Sequence, residues 1–579
     1  MNERMDVSRT KNSPYKALKY VLIIFSLLTL LSACSGSVAE KSPVSPLLGH
    51  YSFTPPTVHT AEGTVVFGST SFPTTANPLF ASSDAALALD NALWGEPVVY
   101  DASFHVLPDQ LTEVPLPENG GVIDGGKTVI MHLRHDLRWS DGQPLLAGDF
   151  QYWWQLNQDA MTGATIQTGY DQIASIDTPD DFTVVLHMKQ PFGPYLSYLP
   201  YAAPRHAWQQ MRPIDLQNTP TVFALPRVTS GPYRILTMEA NQSYTLVPNA
   251  YYRSTTFHGP FIARLIYQTY PTIAALVQAV RAGHVAVSQG YRDDDVAALA
   301  HLPSTTRVQE VAAAAYEHLD FNLSHALLQD SKVRQAIQLA IDICNLTRLA
   351  LHSSNCARRA TQVEPPPSLY YDSSIGASRY DPAAARTLLA QAGWKMDSHG
   401  LLRRGGQSLT LHLVTTAQSP LRLFIAQEIQ HFLRVIGIQV KIDTYSLNSF
   451  FDIYTKSGIL ASGAYDLALF SYANGPDPDD EYGVFHSSQI PDVEQPELSN
   501  YERVHDAVID QALTQGRNSV VFADREAAYH RLLTRLADQV YIIPLFTDTN
   551  RMTVDVRVHN VVLNANASAN SWNIGDWWL

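Results

Sequence analysis

"GVIDGGKT", residues 121–128, satisfies G-x-x-x-x-G-K-[ST], the spacing of a phosphate-cradling loop, and whether it is one decides the fold. Such a loop works where a buried strand runs into the glycines and a helix begins at the lysine, so that N-terminal N–H groups face the phosphates. Upstream, Pro115 and Pro117 each lack the N–H that a central strand must donate. Downstream, "KTVIMHLRHDLRW" sets Val129, Met131 and Leu133 in alternation with Thr128, Ile130, His132 and Arg134, the period of a strand rather than a helix. Asp124-Gly125 is a hairpin signal, because tight turns need positive φ and glycine adopts it without strain. The stretch predicts a turn leading into a strand and argues against ATP binding.

Working outward, the chain of 579 residues exceeds what one hydrophobic core serves and predicts two or more lobes. A hydrophobic fraction of 45% with 16% charged residues is that of an ordinary globular protein. The formal charge of -14 argues against nucleic acid as a partner, since phosphate neutralisation needs clustered Lys and Arg.

At the N-terminus, Arg4, Arg9, Lys11, Lys16 and Lys19 precede the apolar run "VLIIFSLLTLL" and then "SAC". The run is short for a membrane-spanning helix and reads as the core of an export signal. "LSAC", residues 31–34, resembles a lipobox, which implies cleavage before Cys34, acylation of its thiol and attachment to the membrane through the lipid. Residues 1–33 are then the signal peptide. Residues 34–63, rich in Ser, Pro, Thr and Gly, read as a disordered tether, with the fold beginning near Thr64. The two remaining cysteines, Cys344 and Cys356, suit either a disulfide in an oxidising compartment or two buried thiols.

From Thr64 to about Pro260 short strands dominate, with one helix expected in "AGDFQYWWQLNQDA". "FIARLIYQTY", "TIAALVQAVRA" and "HVAVS" then succeed one another as strand, helix and strand. In "DSKVRQAIQLAIDICNLTRLAL", Val333, Ile337, Ala340, Ile341 and Cys344 share one face at helical spacing, with Ser331 as N-cap. "YDPAAARTLLAQAGW" has Asp381 as N-cap, Pro382 in the first turn and Gly393 as the stop. "LRLFIAQEIQHFLRVIG" gives way to "IQVKID", helix to strand. The pattern predicts an α/β fold with mixed sheets.

Motifs for an enzyme are missing: there is no G-x-S-x-G elbow, H-E-x-x-H helix or G-x-G-x-x-G turn. His132 and His135, three apart on a strand, point to opposite faces and make a poor metal pair. "DPDDEYG", residues 477–483, carries carboxylates but places its Gly one position late for an EF-hand and has Ser488 where the bidentate Glu belongs. It reads as a solvated acidic turn or a loop facing a cleft. The 28 Tyr and 9 Trp are what a binding cleft uses, though composition does not separate a cleft from a core.

Several stretches together resemble the extracytoplasmic solute-binding proteins of ABC transporters, in the oligopeptide, dipeptide and nickel-binding family. They are "DGGKTVIMHLRHDLRWSDGQPLLAGDFQYWW" (124–154), "SGPYRI" (230–235), "FNLSHALLQDSKVRQAIQLAID" (321–342), "YDPAAARTLLAQAGW" (380–394) and "YIIPLF" (541–546), in the family's order. The resemblance implies a periplasmic-binding-protein-like fold of two lobes. Lobe I would span 64–305, with an extra subdomain at about 100–225, and lobe II 306–546; residues 547–579 would return to lobe I. It further implies a monomeric receptor that closes by a hinge on a peptide or other small solute, binds it largely through main-chain hydrogen bonds, and hands it to an ABC permease without a cofactor or metal. The strand in "YDLALFSYANGPDPDD" corresponds to the one that touches a peptide backbone, nominating Phe470 and Tyr472. In the family's peptide-binding pattern an Asp anchors the ligand's amino group three residues before the D-P pair, and here that position is Asn474. Asp477 or Asp479 would have to compensate, or the ligand is not a peptide with a free amino terminus. A nickel chelate or oligosaccharide receptor is the alternative within the binding class, and a secreted α/β hydrolase the alternative outside it.

Overall fold

The computed structural model describes residues 45–56, 61–566 and 570–579. The expected signal peptide and Cys34 lie outside the described residues. Residues 122–132 form the predicted hairpin: strand Val122–Ile123 pairs antiparallel with Thr128–His132, and φ is positive at Asp124 (54°), Gly125 (65°) and Gly126 (93°). A strand, not a helix, follows Lys127, with Val129 and Met131 fully buried. The hairpin belongs to a four-stranded antiparallel sheet with Thr183–Met188 and Ile173–Asp180. Helix Ala147–Gln158 packs on that sheet, and its Asp149 carboxylate accepts hydrogen bonds from the Trp139 indole and the Leu146 amide, both at 3.0 Å. A buried indole thus fixes the start of the helix, which explains why Trp139 and Asp149 occur together.

The principal sheet has ten strands, numbered here in chain order: β1 Glu62–Ser69, β2 Tyr233–Glu239, β3 Ser243–Pro248, β4 Ile262–Thr269, β5 Val287–Ser288, β6 Thr306–Phe321, β7 Thr410–Thr416, β8 Gln439–Tyr445, β9 Leu467–Ala473 and β10 Ile542–Asp555. Their spatial order is β8-β7-β9-β6-β10-β5-β1-β4-β3-β2. The early strands occupy one half, the later ones the other, and only the long antiparallel pair β6 and β10 runs through both. The pair breaks register between Ala312 and Tyr316 and again at His318. A bulge disrupts the ladder locally where the strands cross from one half to the other. The expected lobe boundary at 305/306 marks the start of β6; the break in register comes within the strand, several residues later.

Separate apolar clusters serve the two halves, one around Trp139, Tyr233 and Trp577, the other around Ile337, Leu413 and Ile429. Ion pairs and backbone contacts join them. Asp293 takes Arg358 at 2.7 and 2.9 Å and Arg551 at 2.7 Å. The Asp576 carboxylate, fully buried, accepts from the amides of His258 and Gly259 and ties the C-terminal segment to the first half.

Four local expectations need correction. The tether was drawn too long: Leu48 bridges Val106, the Val106 amide donates to the Leu47 carbonyl at 2.7 Å, and Tyr51 packs edge-on against Phe257 and Trp572. Residues 331–350 are two helices, Ser331–Ala340 and Ile343–Ala350, because Ile341 is extended and the Asp342 carboxylate caps the Asn345 amide. Asp330, not Ser331, caps the first of them. A further helix, Asp84–Leu93, lies in the region expected to hold one; seven of its ten residues are buried, so its faces carry no apolar-polar contrast to reveal its period. Cys344 and Cys356 are joined in a disulfide with S–S 2.05 Å. Among the described residues no helix is long and apolar enough to cross a membrane.

Candidate functional site: the cleft between the lobes

Strand β9 reaches the cleft at its C-terminal end. Its pairing with β6 runs the length of 467–473, but pairing with β7 ends at Leu469, so 470–473 have a ladder partner on one side only among the described residues. Ala473 at the end of the strand is exposed. The side chains nominated from the sequence are less available than their backbone. Phe470 is fully buried against Phe450, Phe451 and His318 and presents no face to a ligand. Tyr472 is half-buried, stacked on His318 with ring centres 4.7 Å apart.

Asn474 is locked into the second lobe. Its amide donates to the Ala314 carbonyl at 2.7 Å, and its side-chain nitrogen to Glu481 Oε1 at 3.0 Å and the Val363 carbonyl at 3.3 Å. Glu481 and Glu364 are buried beside it, and loss of hydration, with repulsion by Glu364 on Glu481 and by Asp480 and Asp477 on Glu364, holds both carboxyls above the usual range. The acidic turn that follows is not solvated at Asp477 or Asp479. Asp477 receives a forked pair from Arg525 at 2.6 and 2.8 Å, and Asp479 one from Arg517 at 2.7 and 2.9 Å. Arg525 also donates to the Gly193 carbonyl of the first lobe at 3.1 Å, and Arg517 lies 3.7 Å over the Tyr482 ring. Both carboxylates have spent their charge inside the protein, so neither compensates for Asn474. Asp480 differs: it is exposed, yet the protein mass around it pushes its carboxyl up to about 6, as for a group on a cleft wall.

Next to this turn lies a cavity of about 190 Å³. Pro476 reaches it from the second lobe; Trp94, Glu96, Tyr100, Asp109, Tyr252 and Trp572 line it from the first. Local folding sets these positions. Helix Asp84–Leu93 ends at Trp94, whose indole donates to the Ala76 carbonyl at 2.9 Å. Gly95 follows where a Cβ would come within 2.6 Å of the Gln110 side chain, so a larger residue there would have to displace Gln110. The Asp109 carboxylate accepts from the Glu96 amide at 2.9 Å and the Tyr252 hydroxyl at 3.2 Å. Burial, then repulsion by Asp109, drives Glu96 up to about 8; burial drives Asp109 up to about 6 against its hydrogen bonds. Sequence reading missed both acids. The signal was present in "LWGEPVVY", where a lone carboxylate interrupts an apolar run.

The pseudo phosphate loop also meets the second lobe: a Cβ on Gly126 would lie 2.7 Å from Val520, so glycine there permits lobe contact. His132 is exposed and His135 stacks on Phe182, and the described residues hold no group of three or more metal-ligating side chains.

Comparison with known proteins agrees with this architecture. Over 97% of its length the chain is 25% identical to the oligopeptide-binding protein AppA of Bacillus subtilis, 98% of which is covered. The solved structure of that protein with a nonapeptide superposes with a TM-score of 0.68 at 21% identity, covering 90% of this chain and all of AppA's. NikZ of Campylobacter jejuni, solved with Ni(L-His), gives 0.70 at 21% identity over 89% of this chain and 99% of its own. At these identities the superpositions establish the two-lobed fold alone. Residues 116–490 match the family of bacterial extracellular solute-binding proteins, family 5. With well over half of its length matched, the chain belongs to the family 5 extracellular solute-binding proteins and is a receptor, not a hydrolase.

Proposed function

We propose that the protein is a monomeric, lipid-anchored receptor that binds oligopeptides, or similarly elongated solutes, between its lobes and delivers them to an ABC permease for import. The observation that carries this reading is the half-paired end of β9 beside the cavity at Pro476. An extended ligand adding as a strand along 470–473 would gain main-chain hydrogen bonds at little cost in side-chain selectivity. The lobes on this reading are 64–305 with 547–579, and 306–546, with the membrane attachment through an acylated Cys34. Closure would turn on the crossing of β6 and β10: a ligand that touches both lobes has higher affinity for the closed form and shifts the equilibrium toward it. Arg525 at the Gly193 carbonyl would secure that form.

A non-peptide solute is the second reading. It is favoured by Asn474, whose side chain is already committed to Glu481 and Val363. Native mass spectrometry of protein purified from its host, followed by denaturation, distinguishes the two. Release of a ladder of mixed peptides is expected; release of one non-peptide species overturns the peptide reading and leaves the receptor.

A further inference from the structure

We propose that the aromatic cavity at Glu96 and Asp109 is a cation-accepting subsite, taking a positively charged nitrogen of the bound solute, ammonium or guanidinium. The inference rests on the receptor reading and specifies the chemistry of one end of the ligand.

Among the described residues the cavity wall contains two carboxylic acids and no Lys, Arg or His. The cation whose charge Asp109 feels, Arg134, is forked onto Asp136 at 2.8 and 3.0 Å. In the loop after β9, Asp477 is paired with Arg525 and Asp479 with Arg517, and Asp480 accepts from the Gly475 amide, while Glu481 is bonded to the neutral Asn474 side chain. Carboxylates withdrawn from water without a cation are costly, and a protein retains them where something else supplies the charge or where they stay protonated. Both raised carboxyls fit that state in the unliganded protein.

The rest of the wall suits a cation. Trp94, Tyr100, Tyr252 and Trp572 present rings whose negative faces attract ammonium and guanidinium groups, an effect worth about 0.5–2 kcal/mol per favourable contact depending on desolvation. Asp109 is oriented by the Tyr252 hydroxyl and the Glu96 amide. The half-buried Glu96, whose side chain engages Tyr201, is the acid with room to turn toward a ligand. A third carboxyl, Asp90 on the adjoining helix, is buried with neither oxygen hydrogen-bonded, and burial followed by repulsion from Glu96 raises it well above its usual range. At about 190 Å³ the cavity is smaller than the roughly 300–1,000 Å³ of a pocket for a whole drug-sized ligand, as expected for one that holds the end of a longer solute. The charge that position 474 lacks in the second lobe is thus offered by the first.

The test uses the full chain, cleared of co-purified ligand by denaturation and refolding, with tryptophan fluorescence as the readout since Trp94 and Trp572 line the cavity. Five probes are titrated: trialanine, N-acetyl-trialanine, an N-acetylated tripeptide with one lysine, n-butylammonium and neutral n-butanol. Trialanine binding about tenfold or more tighter than its acetylated form, a preference that falls to within about twofold in Glu96→Gln, is the expected result, tenfold being 1.4 kcal/mol. Restoration by the lysine peptide assigns the subsite to side-chain cations; failure to restore assigns it to the amino terminus. Equal affinity of trialanine, its acetylated form and the lysine peptide in the wild type overturns the inference while leaving peptide binding intact. If no tripeptide binds but butylammonium binds better than butanol, the peptide reading falls and the subsite stands. Absence of any preference for charge in either pair overturns the subsite outright.

Discussion

Two acidic regions border the same cleft and have opposite fates. In the turn after β9, Asp477 and Asp479 are closed off by Arg525 and Arg517, each in a forked geometry. Across the cleft, Glu96 and Asp109 meet a tyrosine hydroxyl and a backbone amide but no guanidinium. The first region uses charge to build the protein; the second keeps it for something outside. What separates them is whether a helix brings an arginine within reach, a fact of packing rather than of the acid.

The sharpest way to break the comparison is to remove the arginine. Arg525→Met leaves Asp477 unpaired, opens the bond to Gly193 and should cost about 3–5 kcal/mol in urea unfolding, while a double variant with Asp477→Asn regains much of that loss. A loss below about 1 kcal/mol would mean that the pair contributes little beyond its own desolvation. A smaller effect is expected for Asn474→Asp, which restores the acid of the peptide-binding pattern. It removes the donor to Glu481 and adds a like charge beside two carboxyls, and should destabilise by about 1–3 kcal/mol. If the variant is instead as stable as wild type and gains affinity for free amino termini, the second lobe retains the anchoring site.

The pH dependence of stability sharpens the contrast further. Glu96 at about 8 and Asp548 at about 7, both raised chiefly by burial, contribute stability that is fully present below their unfolded values of 4.5 and 3.8 and is lost as pH rises through the folded ones. His318, buried and lowered from 6.5 to about 4, acts in the opposite sense only below 6.5. The melting temperature should therefore decline from pH 6.5 to 8.5, as measured by scanning fluorimetry; a rise over that window would contradict the unpaired state of these acids. The smallest change is expected from Glu96→Gln without ligand. Its stability should stay within about 1 kcal/mol of wild type near pH 4, where Glu96 is largely neutral folded and unfolded alike, and its decline toward pH 8.5 should be shallower.

Much of the scaffold was legible because local signals and tertiary packing agree. The hairpin at Asp124-Gly125, the helix begun by Asp381 and Pro382 and stopped at Gly393, and the passage from helix Pro420–Val435 to strand β8 each need only nearest neighbours in sequence to form. Where the two levels diverge, reading along the chain failed. The face through Val333, Ile337 and Ile341 continues smoothly into Cys344, yet the Asp342 carboxylate starts a second helix. Phe470 stands on the nominated strand, but its side chain falls on the core side of the pleat.

The sequence by itself determined the local elements and the family, since turn chemistry, caps and periodicity act over a few residues and the family's motifs are contiguous runs. Only the tertiary structure decided which acids are available to a ligand. Asp477 is silenced by an arginine 48 residues away, and Glu96 is set against Asp109 by the pairing of strands Val98–Tyr100 and Val106–Pro108. Charge neutralisation depends on distance in space and on desolvation, and neither is written at any single position of the chain.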